Sequence, residues 1–370
     1  MWPWLGRGVR GGSIAALIAA CGGGDLSVDG GHDACVGAGC ELPAGDPVVA
    51  STGAAPWAHG AAVTITGTGF GSRGHAAPMV FDTLESGAFD PLWASTTELA
   101  VDATAPRHAR STYHALNDFD GAANHGQFQA PGDVRARWYV HHWIQFADDW
   151  DWGTSGYGEG DQYLANIKLF RLWNPGDIDE DLVVAYLGWE DAFTWQVDNV
   201  TGSPVGFDYG ASAKLARGAW HAVEYEFAEA SAPGTPDGVF RMWIDGATIF
   251  EHTAVPTRED FDVFKRPLII GASAVWGPGD GEDPQAPNHL RIDDLWMDDA
   301  WARVALCPGA TWATRGACEL QPIVAWADGA IEVSGNLGRF EASDDVYLYV
   351  LRDDGTPSAA FGPIAIDAGG

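Results

Sequence analysis

The chain has 370 residues, 46% hydrophobic and 19% charged, so it has room for more than one domain and is too apolar to be disordered throughout. Lys plus Arg number 20 against 51 Asp plus Glu, a formal charge of −31. A field of that sign repels phosphate backbones and anionic lipid, which excludes nucleic acid as a partner.

The first element is a leader. Arg7 and Arg10 precede a short apolar run from Ile14 to Ala20, and Cys21 follows. That layout is a secretory signal, and the run is too short to span a bilayer. Ile18-Ala19-Ala20-Cys21 resembles the bacterial lipobox, which implies that residues 1–20 are removed, Cys21 is acylated, and the membrane is reached through the lipid anchor only. Residues 21–45, rich in Gly, Asp and Ala, read as a flexible tether. Cys35, Cys40, Cys307 and Cys318 remain. Four cysteines allow three pairings. The short spacings favour Cys35–Cys40 and Cys307–Cys318, an exported location permits both, and the CxxC spacing of a Cys-only zinc site is missing.

From there the sequence reads as strands: short alternating runs of Val, Ile, Tyr, Phe and Trp between Gly, Pro, Asn and Asp. They are expected at 62–67, 135–146, 164–173, 182–189, 193–198, 221–228, 239–244, 268–272, 290–297 and 346–351. Many short strands with turn signals between them predict an all-β protein of antiparallel sandwiches. Asp245-Gly246 is a hairpin signal.

Two resemblances attach to these residues. Residues 60–73 (GAAVTITGTGFGSR) resemble the start of an immunoglobulin-like IPT/TIG domain, and 323–336, 346–355 and 362–366 look like its later strands. Residues 81–89 (FDTLESGAF), 218–227 (GAWHAVEYEF), 237–246 (DGVFRMWIDG) and 292–304 (IDDLWMDDAWARV) resemble the concanavalin A-like jelly rolls of lectins, glucanases and polysaccharide lyases. Together they imply a small sandwich from 46–78 and 307–370, with a jelly roll over 79–306 inserted in it or flanked by it.

The resemblance points to polysaccharide or glycan as partner, bound or cleaved on a concave sheet. A lyase needs a group that neutralises the uronate carboxylate and a Tyr or His that moves the C5 proton. Alternation along 135–146 puts Arg135, Arg137, Tyr139, His141, Trp143 and Gln145 on one face, expected to be open. Tyr139, His141, Arg137 and Gln145 are the catalytic candidates. Arg135, Trp143, Asn166, Lys168, Arg241 and Trp243 are the substrate-binding ones. For a glycosidase the nearest paired carboxylates are Glu224 and Glu226. The resemblance also implies a structural Ca2+ between the first and last strands, with Asp82, Glu85, Asp293 and Asp294 as ligands. Trp150 and Trp152, in an acidic loop, are of a kind that stacks on sugar rings. A displayed lipoprotein without catalytic activity, structural or adhesive, is the alternative.

Overall fold

A computed structural model describes residues 45–53, 55–119, 126–130, 135–148, 166–173, 182–187, 193–198, 204–209, 215–258, 266–275 and 288–367. Among the described residues there are twenty strands, one 3-10 turn at Trp312–Thr314 and no α-helix. In chain order the first ten are β1 (Val48–Thr52), β2 (Ala62–Thr68), β3 (Val80–Asp82), β4 (Ala100–Asp102), β5 (His114–Phe119), β6 (Arg137–Phe146), β7 (Asn166–Trp173), β8 (Leu182–Leu187), β9 (Phe193–Asp198) and β10 (Pro204–Tyr209). The others are β11 (His221–Ala228), β12 (Gly238–Ile244), β13 (Ala247–Val255), β14 (Arg266–Val275), β15 (Asn288–Asp298), β16 (Arg303–Cys307), β17 (Glu319–Leu320), β18 (Ile323–Ala327), β19 (Ala330–Ser334) and β20 (Tyr347–Leu351).

The larger sandwich has two antiparallel sheets. An eight-stranded inner sheet runs β13-β12-β11-β6-β15-β5-β4, with β3 also on β15. A five-stranded outer sheet runs β10-β9-β8-β7-β14. Alternation sends Trp138, Val140, Ile144 and Phe146 of β6 into the space between them. They meet Val223, Tyr225 and Phe227 of β11, Phe240 and Met242 of β12, and Leu169, Phe170 and Leu172 of β7. The Phe170 and Tyr225 rings stack at 4.6 Å. Each such side chain gives roughly 1.5–3 kcal/mol by leaving water. The fold is an all-β, jelly-roll-like sandwich. At the hairpin between β12 and β13, Asp245 and Gly246 both take positive φ, +50° and +75°, the type I′ geometry that Asp-Gly favours. A Cβ on Gly246 would also lie 2.3 Å from the Gly316 carbonyl oxygen.

A second core lies against the inner sheet's other face. A four-stranded sheet runs β1-β2-β19-β18 and a three-stranded one β17-β16-β20. Val63 and Ile65 of β2, Ile331 and Val333 of β19, Val304 and Leu306 of β16, and Leu348 and Val350 of β20 fill this core. Tyr139, Trp296 and Trp301 join them from the larger sandwich. Ala62 pairs with Ser334, so strands from both ends of the described chain share one sheet. β16 runs across position 306, where the sequence suggested a boundary, and pairs with β17 and β20.

Cys307 and Cys318 form a disulfide across a separation of 11 residues. Chain-entropy arguments give such a loop about 3 kcal/mol of stability. The double variant Cys307→Ser, Cys318→Ser is therefore expected to unfold at lower urea, by about 3 kcal/mol, and to lose the sensitivity to reductant that the wild type shows. Urea curves with and without dithiothreitol check this.

Candidate functional site

The ribbon expected to be open is closed. Across the inner sheet, Arg241, Glu226, Tyr139 and Asp298 align in one cross-strand row, and Trp243, Glu224, His141 and Trp296 in the next. Tyr139 is 0% exposed, His141 2%, Trp143 1% and Gln145 7%. Arginines from the C-terminal segment cover them. Arg303 lies 3.9 Å above the Tyr139 ring and bonds Glu226 Oε1 at 3.0 Å. Arg315 reaches Glu224 Oε1 at 3.2 Å. In the opposite direction Arg107, 4.4 Å above the Trp143 ring, reaches Glu319 at 2.7 Å.

These contacts set the electrostatics. Burial alone would raise the Glu224 carboxyl, but Arg315 and Arg303 outweigh it and bring it down to about 2. Tyr139 donates its hydroxyl to Glu224 Oε2 at 3.0 Å, and burial holds its pKa well above the usual phenol value. Burial brings His141 down to about 4. A phenol and an imidazole sealed in this way cannot touch a polymer, so the catalytic placement of Tyr139 and His141 is corrected. Gln145 donates to the Gly218 carbonyl and accepts from Arg291, both at 2.9 Å. Arg137 pairs with Asp353 at 2.9 Å and Arg135 with Asp299 at 3.0 Å. Arg241 bonds Glu226 at 3.0 Å, and Trp243 lies under Arg315 at 5.6 Å. The carboxylate pair Glu224 and Glu226 is consumed by the same arginines, which leaves no glycosidase arrangement there.

The four carboxylates read as calcium ligands do not fit that ion. Asp82 accepts from the Leu84 N–H at 3.0 Å and from the Asp90 N–H and Trp93 Nε1 at 2.9 Å. Glu85 accepts from the Thr112 N–H at 2.8 Å. Asp293 accepts from the Ser111 hydroxyl at 3.1 Å, and Asp294, at φ +46°, pairs with Arg107. Burial lifts Asp294 to about 6 against the pull of Arg107. Among the described residues these four do not gather their oxygens within 4.8 Å of one another, as the ligands of one ion would. Cys21, Cys35, Cys40, Trp150 and Trp152 lie outside the described residues.

The outer sheet brings a second set of polar positions together by register. Register sets Lys168 of β7 opposite Tyr186 of β8 and Ser273 of β14. Tyr186 in turn pairs with Thr194, and Thr194 with Tyr209. In the adjacent row Arg171 faces Val184 and Ile269, and Val184 faces Gln196. Burial lowers the Arg171 guanidinium to about 10. Asn166 pairs with Val275 at the strand's start. Asn166 and Lys168 thus sit on a different sheet from the four catalytic candidates, and the two groups do not meet. Sequence reasoning did not single out Tyr186 or Gln196, whose strands it found. A bulge between Lys168 and Phe170 resets the alternation and hides which residues share a row.

No family description matches the sequence, and no curated protein does. Among solved structures, an endo-β-1,4-glucuronan lyase from the fungus Trichoderma reesei is similar at 15% identity and TM-score 0.44, over 61% of this chain and 97% of that one. An alginate lyase from a Chlorella virus follows at 10% identity and TM-score 0.43, over 60% and 99%. A PL-14 alginate lyase from Aplysia kurodai gives 11% and 0.42, over 60% and 99%.

Two outcomes follow from the burial of polar side chains on the two faces of the inner sheet. Arg303→Met leaves Glu224 and Glu226 short of a buried cation, and the loss of stability is expected at about 3–5 kcal/mol by urea denaturation. The second concerns His142, on the core side of β6, which burial and then the charge of His141 bring down to about 3. A base lowered on folding gives stability that is full above about 6.5 and drains as pH falls toward 3. His142→Phe, which keeps the stack on Tyr225, is expected to flatten the fall of the urea midpoint between pH 7 and 5.

Proposed function

We propose that this chain is an exported, lipid-anchored protein of the bacterial cell envelope whose larger sandwich binds and cleaves a uronate-containing polysaccharide on its outer sheet. The observation that carries the reading is the register of Lys168 opposite Tyr186, with Arg171 and Gln196 in the next row. The other sheet's outward face is shut over its central strands, which favours the outer sheet for a chain-like ligand. On this reading Arg171 and Gln196 neutralise the uronate carboxylate, which acidifies the C5 proton. Tyr186 and Lys168 take that proton and return one to the leaving O4 oxygen. The C4–O4 bond breaks and a C4–C5 double bond forms, so atoms balance without water or an oxidant. Two cations in neighbouring rows, in a chain of charge −31, suit an anionic polymer locally while the rest of the surface stays solvated.

Export and anchoring rest on Arg7, Arg10, the apolar run to Ala20 and Cys21, and the Cys307–Cys318 bond suits an oxidising location. On the same reading the jelly roll is an insert in a small IPT/TIG-like sandwich, which the pairing of β2 with β19 supports.

The test is ultraviolet absorbance of unsaturated products on a panel of uronate polysaccharides. Lys168→Ala and Tyr186→Phe are each expected to cut the rate at least ~100-fold, while folded Tyr139→Phe keeps it. Activity that survives both outer-sheet variants and dies with Tyr139→Phe would return the site to the inner sheet. Silence across the panel from folded protein would leave binding or scaffold work, to be followed on a glycan array.

A further inference from the structure

His75 lies on the segment that leads from β2 to β3, and Asp298 and Asp299 lie at the end of β15. Among the described residues these three bring one ligand atom each to within 4.8 Å of one another. Their hydrogen bonds define what can sit between them. His75 Nδ1 is 2.6 Å from the Ala77 carbonyl oxygen. A carbonyl only accepts, so Nδ1 carries the proton. The other ring nitrogen, Nε2, then faces Asp299 Oδ1 at 2.7 Å and Asp298 Oδ1 at 3.2 Å. A lone pair against two carboxylate oxygens at that range is repulsive unless a proton or a metal cation stands among them.

The aspartates are held from behind. Arg73 pairs with Asp298 through Oδ2, and Arg135 Nε with Asp299 Oδ2 at 3.0 Å. Asp298 Oδ1 also takes the Asp299 N–H at 2.9 Å. Both carboxylates therefore present Oδ1 toward the ring, while their outer oxygens are fixed by guanidinium groups. A histidine whose far nitrogen donates to a backbone carbonyl, beside carboxylates that are themselves held, is the outer-shell arrangement of metal ligands. Bonds of about 2.1 Å in a tetrahedron separate ligand atoms by about 3.4 Å; the 3.2 Å spacing to Asp298 is near that value, and the 2.7 Å spacing to Asp299 must open to reach it.

We propose that His75 Nε2, Asp298 Oδ1 and Asp299 Oδ1 bind one divalent transition-metal ion of the zinc class, fastening the segment that leads into the larger sandwich to the strand that leaves it. An imidazole ligand selects zinc, cobalt or nickel over calcium and magnesium. The His75 side chain is 38% exposed and that of Asp299 29%, so solvent completes the coordination.

The experiment titrates Co2+ and then Zn2+ into full-length protein stripped with chelator, reading cobalt d–d absorption and the thermal midpoint. One Co2+ per chain, displaced by Zn2+, with a midpoint raised by Zn2+, is expected. His75→Gln should abolish the band and the shift, and Asp299→Asn should weaken binding at least about tenfold. Wild type that binds no Co2+, or an isotherm unchanged in folded His75→Gln and Asp299→Asn, overturns the proposal and assigns the gap to a proton on an imidazolium.

Discussion

Charge held out of water is what the covered side of the inner sheet depends on. Glu224 and Glu226 project from β11 toward the C-terminal segment, and alone each would cost several kcal/mol to bury. Arg303 and Arg315 come from that segment to meet them. The loan is reciprocal, because Arg107 crosses the other way to Glu319. Neither side can leave without stranding a buried ion on the other. Salt bridges of this kind add little net stability over an apolar seam, yet they penalise every wrong docking. The indole and phenol faces beneath the guanidinium groups of Arg303, Arg107 and Arg137 add cation–π attraction in the same places.

Much of the fold was legible in the sequence because strand periodicity is local. The runs at 193–198 and 221–228 match β9 and β11 residue for residue, and Asp245-Gly246 announced its hairpin. Two of the strands that escaped have a weak apolar pattern. β5, His114–Phe119, carries His114, Asn117 and Asp118. β13, Ala247–Val255, is largely exposed, so the hydrophobic signal is thin although the hairpin required a partner there.

The site was less legible, for two physical reasons. Alternation separates the two faces of β6 correctly: Trp138, Val140, Ile144 and Phe146 go into the inter-sheet core, and Tyr139, His141 and Trp143 go to the opposite side. It says nothing of what lies over that opposite side. Arg303 and Arg315 are distant in sequence from β6, and only the tertiary fold brings them there. On β7 the failure is different. Leu169, Phe170 and Leu172 are all buried, which no strict period of two allows. The bulge after Lys168 is what reconciles them.

The pairing of β2 with β19 has a consequence for the order of synthesis. Ala62 must wait for Ser334 before its backbone partner exists. Until then Val63 and Ile65 belong to a hairpin with β1 whose other edge has no partner, while everything destined for the larger sandwich is already available to collapse. Chains are made from the amino end at roughly 5–20 residues per second, so this early strand spends the whole interval as an open edge of the sort that recruits foreign strands. The alternating threonines at 64, 66 and 68 keep one side of it polar through that wait. The element begun first is thus completed last, and its chemistry suits a long exposure to water.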